Sequence, residues 1–159
     1  MSRSARKLCA CLIAATALVV SSAVAAAPSA SGETAVRGRP TVVLDRLEVP
    51  PDVSRHFERH LRHTLRRIAR RAQWGAGRGH RIEYRFKLER LELAHQGSVV
   101  RVTCTAVGQL PRGRTARSHL VFGGDAGKRD AVVERVLDIV ARGVITRLAE
   151  LERDRRSRR

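Results

Sequence analysis

Aromatic residues are nearly absent from this chain: one Trp, one Tyr and three Phe among 159 residues. A core with so few rings has to be built from aliphatic side chains. Lysine is scarce as well, and beyond residue 27 only Lys87 and Lys128 stand among the basic residues. Cysteine occurs three times, at Cys9, Cys11 and Cys104. Only Cys104 lies outside the N-terminal segment, which excludes an intramolecular disulfide in the remainder. No pair of neighbouring carboxylates, no Ser-His-Asp order and no metal-ligand signature appears, so the sequence reads as a non-enzyme that needs no cofactor.

Acidic residues are also few, and their shortage turns the reading toward what is present. There are 15 against 32 Lys and Arg, a formal net charge of +17. Taking Arg3, Arg6 and Lys7 from the 32 leaves 29 basic residues and a surplus of 14 for the remainder. A field of that sign favours anionic polymers or membrane surfaces, although GC-rich coding also produces arginine-rich chains. Apolar content of 43% is ordinary for a globular protein. The length suits one domain and is too short for two.

Residues 1–27 read as a signal peptide. Arg3, Arg6 and Lys7 form a charged start, Leu8 to Ala27 carries no charge, and Ala23 and Ala25 fit an A-x-A cleavage pattern. An uncleaved anchor is the alternative, since about 20 uncharged residues can just span a bilayer. The segment lacks the Arg-Arg pair of a twin-arginine signal. Export to the periplasm or beyond is the expected localisation.

Residues 28–40 are small and polar and read as a flexible linker. A single domain is expected over 41–153, followed by a basic tail, 154–159, that frays. Thr41 to Val49 is rich in β-branched residues and predicts a strand, stopped by Pro50-Pro51. Asp52 is placed to cap a helix running to about Ala72, with Val53, Phe57, Leu61, Leu65, Ile68 and Ala72 on one stripe. Gln73 to His80 is a glycine-rich connection. A second strand alternates Ile82, Tyr84, Phe86 and Leu88 with charged residues, and its phase slips at Glu89-Arg90, which predicts a bulge. A third strand, Val99 to Leu110, and a fourth, Thr115 to Phe122, follow across turns. A final helix spans Lys128 to about Arg153, with Val133, Val136, Leu137, Val140, Val144, Leu148 and Leu151 on its apolar stripe.

Strands that alternate apolar and charged residues have one wet face, and two amphipathic helices can cover the other. The expected fold is therefore α+β, a two-layer sandwich in β-α-β-β-β-α order. Its two helices lie on one face of a mostly antiparallel four-stranded sheet. A strand ending in Leu47-Glu48-Val49-Pro50-Pro51, a long Arg-rich helix, a three-stranded meander and a terminal helix resemble small envelope proteins of Gram-negative bacteria. The outer-membrane LPS-assembly lipoprotein family is the nearest such resemblance, over roughly 41–153. It implies an accessory role in the cell envelope. Those families carry a lipidated cysteine at the mature N-terminus, and this sequence has none there.

The chemistry candidates follow from the first helix. Arg55, Arg59, Arg62, Arg66 and Arg70 fall on the side away from its apolar stripe, with Glu58 the only nearby acid after Asp52. Like charges at i, i+4 repel, so a sequence that keeps them is a candidate anion-binding surface; the plainer reading is a solvated face. His56, His60 and His63 share one side of the same helix and could hold a metal. Nearby Arg59 and Arg67 argue instead for fillers at the boundary between core and solvent. Trp74 either plugs the helix end against the sheet or anchors a partner. Cys104 reads as a buried small hydrophobe, and a thiol-dependent hydrolase built on it is the remote alternative. The Gly123 to Arg129 stretch imitates a phosphate loop, but only three residues separate Gly123 from Gly127 and Arg129 stands where a hydroxyl is needed, so it reads as a turn. The expected partner is an anionic envelope polymer or lipid, including a membrane surface, or an acidic protein. Nucleic-acid binding is the rival class, disfavoured by the export signal.

Overall fold

The computed structural model describes residues 38–76, 80–111 and 113–158. The expected signal peptide, residues 1–27, and residues 28–37 of the expected linker lie outside them. Strand β1 (Thr41–Glu48) leads to helix α1 (Arg55–Arg71), then to β2 (Arg81–Gln96), β3 (Val99–Gln109) and β4 (Thr115–Asp125). A short 3₁₀ turn (Ala126–Lys128) enters helix α2 (Arg129–Ser157). The sheet order is β1-β2-β3-β4, with β1 parallel to β2 and the other pairings antiparallel. This is the α+β sandwich that the element order implies.

The phase slip in β2 is a register shift between Leu88 and Arg90. The extra residue, Glu89, lets Leu88 and Leu91 both face the core. A second shift, between Leu44 and Arg46 in β1, was not legible in the sequence. Along β2 and β3 the inward residues Ile82, Tyr84, Phe86, Val100, Val102, Cys104 and Ala106 are buried beneath the helices. The outward side chains form ion pairs instead, including Arg85–Asp45, Arg81–Glu83 and Arg117–Glu89, each at 2.9 Å.

Helix α1 begins later than expected. Ser54, not Asp52, is its N-cap, accepting from the Phe57 amide at 3.5 Å. Phe57, Leu61 and Leu65 are buried as its periodicity requires, whereas Val53 and Ile68 are only half-buried and Thr64 and Ala69 take buried positions. Helix α2 continues to Ser157 rather than fraying from Asp154. The cause is Glu152, buried at the base of the last turns, which accepts from both Arg155 and Arg156; Arg156 also donates to the Ala76 carbonyl at 2.9 Å. Burial by itself would raise the Glu152 carboxyl, but the hydrogen bonds and charges of the two guanidiniums outweigh it and hold it below its ordinary value.

Candidate anion-binding face

The arginine row on α1 emerges on its exposed side. Arg55, Arg59, Arg66 and Arg70 are exposed, and none has a carboxylate partner among the described residues. Arg62 is different. It is half-buried and tied to Glu58 one turn earlier, with Nη2 at 2.9 Å from Oε1. Arg59 rests its Nε on the Arg55 carbonyl at 3.4 Å, which keeps its terminal nitrogens outward. Four guanidinium groups therefore lie along one helix with their outer donors unclaimed, the arrangement that engages phosphate or carboxylate oxygens in pairs.

The histidines do something that sequence distance concealed. Helix α2 sets Glu134 and Asp138 against α1 from more than 70 residues away. His56 Nε2 lies 2.8 Å from Glu134 Oε1, and His60 Nδ1 lies 3.8 Å from the same oxygen. His60 Nε2 is 3.0 Å from Asp138 Oδ1, which also accepts from Thr64 Oγ1 at 2.8 Å. Arg67 Nη2 completes the seam at 3.6 Å from Asp138 Oδ2. His63 is exposed and takes no part in the seam. Among the described residues no group of three or more metal-ligating side chains converges on one point. The seam thus engages Glu134 and Asp138 with histidines, a threonine and Arg67, and Arg55, Arg59, Arg66 and Arg70 keep no carboxylate partner among the described residues. The signal that could have found these acids was their i, i+4 spacing beside Val133 and Leu137 on the apolar stripe of α2.

The remaining candidates are structural. Trp74 is buried, stacks on Tyr84 with centroids 6.2 Å apart, and donates from Nε1 to the Ala69 carbonyl at 2.8 Å, so it plugs the end of α1. Tyr84 is buried as well; desolvation pushes its phenol upward, against a smaller opposing pull from the Arg66 charge. Cys104 is fully buried in β3, and desolvation pushes its thiol up to about 12. Gly123, Gly124 and Asp125 extend β4 beyond the expected end at Phe122, and Asp125 accepts from the Gly127 amide at 2.9 Å as the chain enters the 3₁₀ turn, so the stretch is half strand and half turn and not a phosphate cradle.

No family model matches the chain, and no curated protein matches it. Among the solved structures similar to it are two bacterial proteins. One is a minor lipoprotein from Acinetobacter baumannii, 14% identical over 68% of this chain and 90% of that one, with a TM-score of 0.40. The other is from Caulobacter crescentus CB15 and is described as a lipoprotein, 10% identical over 71% of this chain and 92% of that one, with a TM-score of 0.42.

Proposed function

We propose that this chain is an exported, non-catalytic accessory domain of the cell envelope whose α1 row binds anionic material. Phosphate-bearing lipid or polymer of the lipopolysaccharide kind is the ligand class. One observation carries the reading: Arg55, Arg59, Arg66 and Arg70 are exposed on one face without carboxylate partners among the described residues, while Glu58, Glu134 and Asp138 are already engaged. Export rests on the charged start and uncharged run of residues 1–27. Among the described residues no helix is long and apolar enough to cross a membrane. A thiol pushed up to about 12 and sealed in the core is unsuited to nucleophilic work, which argues against a Cys104 hydrolase.

The test is binding of lipopolysaccharide and heparin across a salt series. Affinity should fall steeply as salt rises. An Arg59→Gln, Arg66→Gln double variant should bind more weakly, with a log–log salt slope shallower by roughly one to two. Its melting temperature should match the parent's, because neither side chain enters the core. A double variant that binds both ligands as tightly as the parent at every salt concentration overturns the proposal. Tighter binding to an acidic protein than to either polymer would redirect it.

A further inference from the structure

The two edges of the sheet are built differently. Edge strand β1 is eight residues long, is broken by the shift between Leu44 and Arg46, and is bracketed by Pro40 and Pro50-Pro51. Short length, irregularity and flanking proline are the usual means of blocking strand addition. Edge strand β4 has none of them. It runs for 11 residues without proline or lysine, and its register with β3 is unbroken from Thr115 to Asp125.

Apolar side chains flank that same edge on both faces of the sheet. The large hydrophobic side chains that remain exposed among the described residues are Val99, Val121 and Ile139, at 45%, 50% and 43%. Val121 is on β4 itself. Val99 leans over Gly123, since a Cβ there would lie 3.7 Å from Val99 Cγ1. On α2, Val132 closes over Gly124 and Gly143 faces Ser118, so Ile139 between them is level with Leu120. Leu120 and Phe122 are themselves only half-buried.

We propose that β4 is a homodimer interface, at which β4 of a second copy adds antiparallel and makes one continuous eight-stranded sheet. The argument for a second copy is self-complementarity. Full overlap of the two strands sets Leu120 against its own counterpart on a twofold axis. Ser118 then faces Phe122 and His119 faces Val121. Arg117, which pairs with Glu89 at 2.9 Å within its own copy, faces Gly123; on leaving Glu89 its aliphatic stem covers Val99 and its guanidinium reaches the diagonal Asp125 of the other strand. Asp125 uses Oδ1 on the Gly127 amide and has Oδ2 to offer. No like charges oppose each other along the edge, and each copy supplies both halves of every pair.

The experiment is analytical ultracentrifugation of the purified full chain over about 1–200 µM. A reversible dimer is expected, and it should tighten between about 0.15 M and 0.5 M salt because the like net charges of the copies repel. That dependence is opposite to the one expected for anion binding at α1, so the two proposals fail separately. Replacing the exposed Val121 and Ile139 (Val121→Lys with Ile139→Lys) should weaken association by at least about tenfold while melting stays unchanged. In a full chain carrying Cys9→Ser and Cys11→Ser, Leu120→Cys should form a reducible cross-linked dimer under mild oxidation, since Cα atoms paired across antiparallel strands lie within disulfide reach; buried Cys104 keeps that background unlinked without the Leu120 change. A monomer at every concentration and salt, a lysine variant that associates as tightly as the parent, or a folded Leu120→Cys protein that does not cross-link overturns the proposal.

Discussion

Gly108→Ala is the perturbation that best tests how α2 is seated. Gly108 is buried in β3, paired with Phe86 on one side and Ala116 on the other. A Cβ at this position would overlap Val144 Cγ1 and come within 2.7 Å of Leu148 Cδ1. Both partners are 0% exposed, so neither has open space to enter. A helical valine is also nearly confined to one rotamer, which prevents Val144 from turning aside. The strain must shift α2 away from the sheet, at a cost of about 1–3 kcal/mol. Alanine recovers about 0.4–1 kcal/mol by restricting the unfolded chain. The net destabilisation should be about 1–2 kcal/mol, or several degrees in melting temperature followed by circular dichroism. Val144→Ala by itself should cost about 2 kcal/mol through lost burial and the cavity left behind. Combined with Gly108→Ala, the new methyl occupies vacated space, and the pair should be more stable than the sum of the two losses by at least about 0.5 kcal/mol. Gly123→Ala is the control, because its Cβ meets nothing closer than 3.7 Å and should cost nothing. Gly108→Ala melting at or above the parent, or strictly additive losses, would refute the close approach of α2 to β3.

Leu61, 1% exposed beneath α1, should cost about 2–5 kcal/mol on replacement with Ala, measured by urea unfolding. A loss under about 0.5 kcal/mol would mean that the stripe is an outer surface. Cys104 should resist a thiol reagent at pH 8 in the native state and react only as the domain opens, so its labelling rate should track global unfolding as urea rises; labelling at the rate of a free thiol in native buffer would contradict its burial. Glu152 has a depressed folded value, so its contribution is fully present above the ordinary carboxylate range near about 4.3 and is lost as pH falls through the lower folded value. Glu152→Gln should therefore flatten the acid limb of a stability–pH profile and free the last turn of α2; an unchanged acid limb would show that the Arg155–Arg156 clamp does not hold the helix end.

Periodicity decided most of this protein. The two-residue alternation in β2 and the three-to-four spacing of Phe57, Leu61 and Leu65 each allow only one side of the element to be buried, so element type, order and layering could be read directly. Even the bulge near Glu89 showed as a phase slip, because an inserted residue must invert every later side chain. The exposure of Arg55, Arg59, Arg66 and Arg70 followed from the same period, whereas Arg62 is half-buried beside Glu58. Tertiary structure alone decided what lay across from each face. Glu134 and Asp138 became partners of His56, His60 and Thr64 only because α2 packs beside α1, a fact that no local pattern encodes. That contact determines which of α1's charges are cancelled. Glu152 is likewise an ordinary surface residue by composition, until burial and two arginines make it the anchor of a helix end that the basic tail predicted to fray. Gly108 and Gly124 are the places where Val144 and Val132 press in, because proximity between distant segments depends on packing and not on sequence spacing.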